Sequence, residues 1–351
     1  MPRARRVTAA QIAKRLNLSR TTVSLALTGQ GQRHRIPDRT IERVLEAARE
    51  MDYHPSLVAQ QLAGKRSNVV GVLIKTEAIA DVRLIQAMEM LAAERGVRFI
   101  VGHAVGTHEK VREYLDDFQA RGVDAVISIF HNHPAYCETV LAELKRFRHV
   151  VFYEKPGEAF GPEAFYVQPD YFEMGRLGVQ HLIDRGRERI GLVFSNLVFP
   201  YAIQRRQAYE ATLAKAGRSV DEGLIWALDE RTSEHWTAPF TPELALQAVD
   251  ALVVERKADG LVAVNDLYAA RLLGALRQRG RRAPEDVAVV GCDNLELGTL
   301  VTPSLTTLGF DIDELAERMI ERLFAGLEGD LADGITRAVV VQPELLIRES
   351  G

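Results

Sequence analysis

The sequence predicts an N-terminal all-α helix-turn-helix segment joined to a larger α/β body of two doubly wound parallel-sheet lobes. Three observations predict it. The first is a charge split: residues 1–66 carry thirteen Lys or Arg against five Asp or Glu, and residues 67–351 carry 31 against 43, so the near-neutral whole (8 − 12 = −4) conceals opposite halves. The second is helical apolar spacing with short connections in the head, and the third is the alternation of apolar runs with amphipathic helices beyond Asn68. A chain of 351 residues also exceeds what one hydrophobic core supports, and 47% apolar with 26% charged residues is ordinary for soluble domains.

No apolar run reaches on the order of 18 residues, and Arg3, Arg5 and Arg6 have no secretory apolar segment behind them. The expectation is a cytoplasmic chain with no membrane contact. Cys137 and Cys292 lie far apart and outside any paired redox or metal spacing, which fits a reducing compartment without disulfides.

Within the head, Thr8-Ala9-Ala10-Gln11 fits a capping box and opens a first helix, with Ile12, Ala13 and Leu16 on one face. Asn17 tolerates the left-handed turn that must follow, and Ser19 caps a second helix. There Val23, Ala26 and Leu27 point inward, leaving Arg20, Thr21, Ser24 and Leu25 outward. Such a second helix lies in a DNA major groove about 12 Å wide with its N-terminal residues at base edges. Arg20 suits guanine O6 and N7 together, and Thr21 offers a hydroxyl and a methyl. Thr8, Ser19, Thr22 and Ser24 complete the expected contact set. Leu25 either packs on a thymine methyl or turns inward. The rival reading is a solvated helix pair with a positive face. Ile36-Pro37-Asp38 starts a third helix, buried through Ile41, Val44, Leu45 and Ala48, and Tyr53-His54-Pro55 stops it. In the intervening basic loop, residues 29–35, the Arg33-His34-Arg35 cluster either grips phosphate or is solvated.

Next comes Ser56-Leu57-Val58-Ala59-Gln60-Gln61-Leu62-Ala63-Gly64-Lys65. About nine residues are too few for a stable isolated helix in water. Residues 7–65 resemble the DNA-binding head and hinge of the lactose-repressor (LacI/GalR) family, residue for residue across 58–65. The resemblance implies a hinge that folds on operator DNA beside a second copy, with Ser56, Ala59 and Gln60 in contact and Leu62 wedged into the minor groove. Two departures stand out: Leu25 replaces an arginine frequent in relatives, and the loop at 29–35 is longer than in the lactose repressor. Domain limits are expected at 1–54 for the head, 55–66 for the hinge and 67–351 for an effector-binding and dimerisation body.

The body's apolar runs begin at residues 69–74, 97–101 and 125–130, with a helix through residues 84–95. A second set is expected from about Tyr166, with strands near 189–194, 260–264 and 287–291. Gly186 to Val193 and Pro284 to Gly291 look like stretches of the type I periplasmic-binding-protein fold that forms this family's body. On that fold the lobes are expected at about 67–164 with 303–330, and about 165–302 with 331–351, crossing near Ala164, Thr302 and Leu331. A last strand is expected over 338–347. The chain then ends without a leucine-heptad tail, so a coiled-coil tetramer is not expected.

Ligands of such folds bind where strand C-termini of two lobes face each other. By resemblance Asp293 and Arg205 are effector contacts, with Ala208 standing where glycine is usual; Asn265 is a further match and Glu154 replaces an aspartate. Carboxylates, a guanidinium and an amide around one cleft suit the hydroxyls of a sugar or nucleoside. Interlobe salt bridging without ligand is the alternative. Trp236, Phe240 and Phe130 are candidate stacking residues, although aromatics in such positions are more often core, and His131 follows a strand toward the cleft. His131 and His133 with Cys137 lack the paired spacing of structural zinc, so no metal or cofactor is expected. A helix with Ile85, Met88, Leu91 and Ala92 serves either a dimer interface or sheet packing.

Walker, nucleophile-elbow and dinucleotide signatures are missing, so an enzyme is not expected; a transport receptor would not need the basic head. The expected partners are a pseudo-palindromic double-stranded operator, a carbohydrate or nucleoside-like effector, and a second copy of the chain in a homodimer. The expected function is a DNA-binding transcriptional regulator, a repressor, under effector control.

Overall fold

The computed structural model describes residues 7–53, 66–74, 79–103, 108–129, 137–156, 160–161, 164–194, 199–228, 240–329 and 336–351. Ser56, Ala59, Gln60 and Leu62 of the expected hinge lie outside the described residues, as do Phe130, His131, His133 and Trp236. The chain divides into two compact units, Met1–Ser67 and Asn68–Gly351.

In the first unit, α1 (Ala9–Leu16), α2 (Arg20–Leu27) and α3 (Asp38–Glu50) enclose a small core of Ile12, Ala13, Val23, Ala26, Val44, Ala47 and Ala48. The Thr8 amide donates to Gln11 Oε1 at 2.8 Å, so the glutamine half of the capping box closes the first turn. Asn17 takes the left-handed turn at φ 54°, and the Thr22 amide donates to Ser19 Oγ at 3.0 Å. Leu45 was expected inside but is 37% exposed. The buried stripe runs Val44, Ala47, Ala48, Met51, which leaves position 45 about a quarter-turn outside it.

The second unit opens with β1 (Val69–Ile74), α4 (Ile79–Glu94), β2 (Arg98–His103), α5 (His108–Arg121), β3 (Ala125–Ser128), α6 (Cys137–Leu144), β4 (Val150–Tyr153) and β5 (Phe165–Pro169). There follow α7 (Tyr171–Asp184), β6 (Ile190–Phe194), α8 (Pro200–Lys215), β7 (Ile225–Ala227), α9 (Pro242–Val249), β8 (Gly260–Ala263), α10 (Asp266–Gln278), β9 (Ala288–Cys292), α11 (Leu297–Leu300) and β10 (Thr306–Gly309). The chain finishes with α12 (Ile312–Glu328), β11 (Ala338–Val341) and β12 (Glu344–Leu346). Among the described residues each sheet has six strands, ordered β11-β5-β4-β3-β1-β2 and β12-β10-β9-β8-β6-β7. All neighbours pair in parallel except β10 with β12.

Both faces of the first sheet are covered, which explains its near-continuous apolar strands. Leu84, Met88 and Ala92 of α4 join Leu315, Met319 and Leu323 of α12 on one face. Leu115 and Phe118 of α5 join Leu141 and Leu144 of α6 on the other, where Gly71 makes room for the Phe118 ring. Ile85, Met88 and Ala92 are therefore sheet packing, and the exposed apolar side chains of α4 are Ile79, Val82 and Met90.

The lobe crossings differ from the expected ones. Strand β5 belongs to the first sheet, not the second, and pairs there with β11, while β10 and β12 belong to the second. The chain therefore crosses after Pro169 instead of near Ala164, and after Gly309 instead of near Thr302; Leu331 lies outside the described residues. The third crossing falls between Val341 and Glu344, so the single strand expected over 338–347 is two strands in different sheets. Pro343 has no amide to continue a ladder, and Asp170 caps α7 immediately after β5 by accepting from the Glu173 amide at 2.8 Å. Gln342 Nε2 donates to Asp170 Oδ2 at 3.2 Å, linking two crossings. Among the described residues no helix is long and apolar enough to cross a membrane.

Candidate functional site

On α2, Arg20, Thr21 and Ser24 are exposed on the outer face, whereas Thr22 and Leu25 are half-buried. Ser19 Oγ accepts from the Thr22 amide and lies 2.8 Å from Thr22 Oγ1, so both side chains are engaged in closing the helix end. Thr8 is likewise tied to Gln11. Three of the expected contact residues thus have structural duties, and Arg20, Thr21 and Ser24 remain as the outward polar set. An ion pair of Arg15 with Glu50 binds α1 to α3 behind them.

Charge is distributed unevenly within this unit. Residues 7–37 contain Lys14, Arg15, Arg20, Arg33 and Arg35 and no acidic residue, while residues 38–53 contain three arginines against five carboxylates. The charged residues of the helix-turn-helix and its following turn are therefore all basic, and α3 with the turn after it carries the acids.

In the second unit the expected effector residues gather at strand ends. Glu154 follows β4, is 6% exposed, and its Oε1 accepts from Tyr171 Oη at 2.8 Å. Tyr171 stands in the first turn of α7, and the Arg205 guanidinium on α8 lies 5.4 Å from its ring centroid and 5.7 Å from that of Tyr201. Arg205 Nη1 donates to the Val264 carbonyl at 2.7 Å, while its buried Nε has no hydrogen-bond partner among the described residues. Such a cation, 6% exposed and incompletely bonded, is suited to a ligand oxygen.

Asp293 follows β9, with its amide donating to Leu308 O at 2.7 Å. Burial pushes its carboxyl up to about 6, Arg205 opposes the rise and Asp81 adds to it. Burial also raises the Tyr153 hydroxyl, helped by the charges of Glu154, Asp81 and Asp293, and Tyr153 shares a hydrogen bond with Tyr171. Glu154, Asp293 and Asn294 all have left-handed backbone, φ 77°, 96° and 47°. Non-glycine residues held there cost on the order of 1–2 kcal/mol each, a strain that clusters at functional sites.

Asn265 contributes differently from the others. Its Oδ1 caps α10 by accepting from the Tyr268 amide at 2.9 Å. The adjacent Asp266 is fully buried: its carboxyl accepts from Thr307 Oγ1 at 2.5 Å and from the Leu295 amide at 2.6 Å. Burial drives it up to about 7 despite both bonds. Burial likewise pushes the Cys292 thiol up to about 12, so it stays protonated.

Phe240, a stacking candidate with core packing as its alternative, is core. It is 2% exposed and stacked on Tyr268 at 3.9 Å, with Trp226 edge-on at 5.5 Å. Asp81, Tyr153, Tyr171 and Tyr201 are cluster members that sequence reasoning missed. The available signal was position: Asp81 lies in the first helical turn after β1, and Tyr171 immediately follows the Asp170 cap. A separate concavity of about 410 Å³ lies where α4 meets the second lobe, lined by Arg83, Met90, Asn294, Asp311 and Glu344 among others. Arg83 Nη1 donates there to Asn294 O at 3.3 Å, a direct link between lobes.

Residues 8–56 match the family of bacterial regulatory proteins, lacI family, and residues 179–351 match the periplasmic binding protein-like domain. The HTH-type transcriptional repressor PurR of Escherichia fergusonii is 28% identical over 344 residues, covering 97% of this chain and 95% of the repressor. The PurR of Shigella sonnei is 28% identical over 347 residues at the same coverage. Among solved structures, the Lac repressor dimer bound to operator and the anti-inducer ONPF aligns over 99% of both chains with a TM-score of 0.82 at 22% identity. The transcriptional regulator CelR in complex with cellobiose aligns over 99% of this chain and 100% of its own, with a TM-score of 0.70 at 24% identity.

Proposed function

We propose that this chain, which belongs to the lacI family of bacterial regulatory proteins, is a cytoplasmic, homodimeric transcriptional repressor whose operator affinity is set by a small molecule bound between the lobes. The observation that carries the reading is a helix-turn-helix whose charged residues are all basic, with Arg20, Thr21 and Ser24 outward on α2, in one chain with a buried carboxylate and guanidinium cluster at facing strand ends. Residues 1–54 read DNA, residues 55–66 form the hinge with Ser56, Ala59, Gln60 and Leu62 on the operator, and residues 67–351 bind effector and partner. A two-fold dimer calls for a roughly palindromic operator.

The effector is a polyhydroxylated metabolite, a sugar or nucleoside. Glu154 and Asp293 accept hydrogen bonds from its hydroxyls, Arg205 and Asn265 donate to its oxygens, and His131 and Trp236 are further candidates from the sequence alone. A ligand touching both lobes stabilises one relative arrangement over another, and that preference is linked to hinge folding on DNA. Such couplings amount to about 1–3 kcal/mol and act equally on effector and operator affinity. The names of its relatives, a transcriptional repressor and a transcriptional regulator, support a binding role over an enzymatic one.

The test is selection of bound duplexes from a random pool, repeated with sugars and nucleosides present. A palindromic consensus whose recovery changes with one metabolite class is the expected outcome. Failure to prefer any duplex over scrambled competitor would sink the reading.

A further inference from the structure

We infer that the effector carries a protonated amine as well as hydroxyls, and that Asp81 of the first lobe and Asp293 of the second hold this ammonium between them. The inference rests on the effector-binding reading above and narrows its ligand from a neutral sugar or nucleoside to an amine-bearing one.

The two acids come from opposite sides of the cleft. Asp81 stands half-buried in the first turn of α4, two residues before Arg83, whose Nη1 donates to Asn294 O at 3.3 Å. That bond holds the start of α4 against the segment that carries Asp293. Besides burial, the charges acting on the Asp293 carboxyl are Arg205, which favours its ionisation, and Asp81, which opposes it. Glu154 brings a third carboxylate from the first lobe, bonded across the cleft to Tyr171 Oη at 2.8 Å. After burial, the charges of Glu154, Asp81 and Asp293 all keep the Tyr153 hydroxyl neutral, so the three acids converge on one group.

Among the described residues the cation set against these acids is Arg205, and it is largely committed. Its Nη1 donates to Val264 O, and its guanidinium lies over the rings of Tyr171 and Tyr201. Only the buried Nε is without a partner, and it calls for an oxygen acceptor. The N-terminus of α4 would by itself favour an anion, but Asp81 already supplies the negative charge there. A neutral sugar can donate hydroxyls to the acids and leaves their repulsion in place. An ammonium offers three donors and the opposite charge. Between Asp81 and Asp293 it turns a repulsion across the cleft into two attractions, so the contact that selects the amine also draws the lobes together. A hydroxyl or ring oxygen of the same ligand then meets Arg205 Nε.

The test is calorimetry on the full-length protein at about pH 7 with matched probes. D-glucosamine is compared with D-glucose, D-galactosamine with D-galactose, and 3′-amino-3′-deoxyadenosine with adenosine; N-acetyl-D-glucosamine serves as the amine made neutral. At least one amine should bind about tenfold or more tightly than its neutral counterpart, the gain expected when a charge-assisted hydrogen bond replaces a neutral one. Asp81→Asn should remove most of that preference and Asp81→Glu should retain it. Neutral probes that bind as tightly as their amines overturn the inference and leave the effector reading standing. A preference that survives intact in a folded Asp81→Asn protein overturns the assignment of Asp81 to the ammonium. The wild-type comparison decides the ligand class whether or not either variant folds. No binding by any probe, amine or neutral, would defeat the parent reading and this inference with it.

Discussion

Asp266→Asn should stabilise the body at neutral and alkaline pH, because the wild-type fold buries a carboxylate it holds poorly. Burial raises this carboxyl to about 7, against about 3.9 in an unfolded chain. Between those values the folded carboxyl keeps its proton while the unfolded one has released it. Folding then takes up a proton, so stability declines as pH rises from about 4 and the decline is complete above about 7. The gap corresponds to about 4 kcal/mol, lost at about 1.4 kcal/mol per pH unit. Asparagine resembles the protonated acid in shape: its carbonyl can accept from the Leu295 amide, and its NH2 can donate to Thr307 Oγ1, whose hydroxyl already lies 3.3 Å from Leu308 O. Gly291 keeps the space open, since a Cβ there would stand 2.3 Å from Asp266 Oδ1. Urea unfolding of both proteins from about pH 5 to about pH 8 should show a difference that grows toward alkaline pH. Parallel curves over that range would refute the buried-charge argument.

Other outcomes follow from the same geometry. Gly175→Ala would place a Cβ 2.9 Å from Arg205 Cα and O, forcing α7 from α8 at a cost of about 1–3 kcal/mol; effector affinity by calorimetry should fall with thermal stability, and unchanged affinity would separate Arg205 from the site. Effector binding should weaken about tenfold per pH unit once Asp293 is protonated below about 6, so a flat profile through that range would argue against a carboxylate acceptor. Ser19→Ala should lower head stability by about 1 kcal/mol through loss of the cap to the Thr22 amide, read from the thermal transition of the head. Arg20→Ala should relax discrimination at one base pair per half-site by about 1–3 kcal/mol, whereas an equal loss on scrambled DNA would make it a phosphate contact.

The head was legible in the sequence because its determinants are local: Thr8 with Gln11, Asn17, Ser19 and the spacing of Val23 and Ala26 act within a turn or two. The crossings were not, because Phe165–Pro169 has the same apolar run whichever sheet receives it, and its pairing with residues 338–341 joins positions 172 residues apart (338 − 166). Arg205 and Asp293 were reached through family resemblance, and the structure brings their charges within mutual influence. Asp81 and Tyr171 escaped notice because proximity of strand ends from two lobes has no one-dimensional signature. Phe240 stayed open between ligand and core for a related reason: an aromatic residue near a strand does not reveal whether its ring will meet a ligand or Tyr268.

The interleaved lobes impose an order on synthesis. When Pro169 has left the ribosome, five of the six strands of the first sheet exist, yet one face of that sheet still lacks Leu315, Met319 and Leu323. Those side chains arrive only with Ile312–Glu328, after the other lobe has been nearly completed. At about 5–20 residues per second, the nascent first lobe waits several seconds or longer with an uncovered apolar surface. Holding chaperones would therefore find their substrate here in the first-made half of the body, not the last.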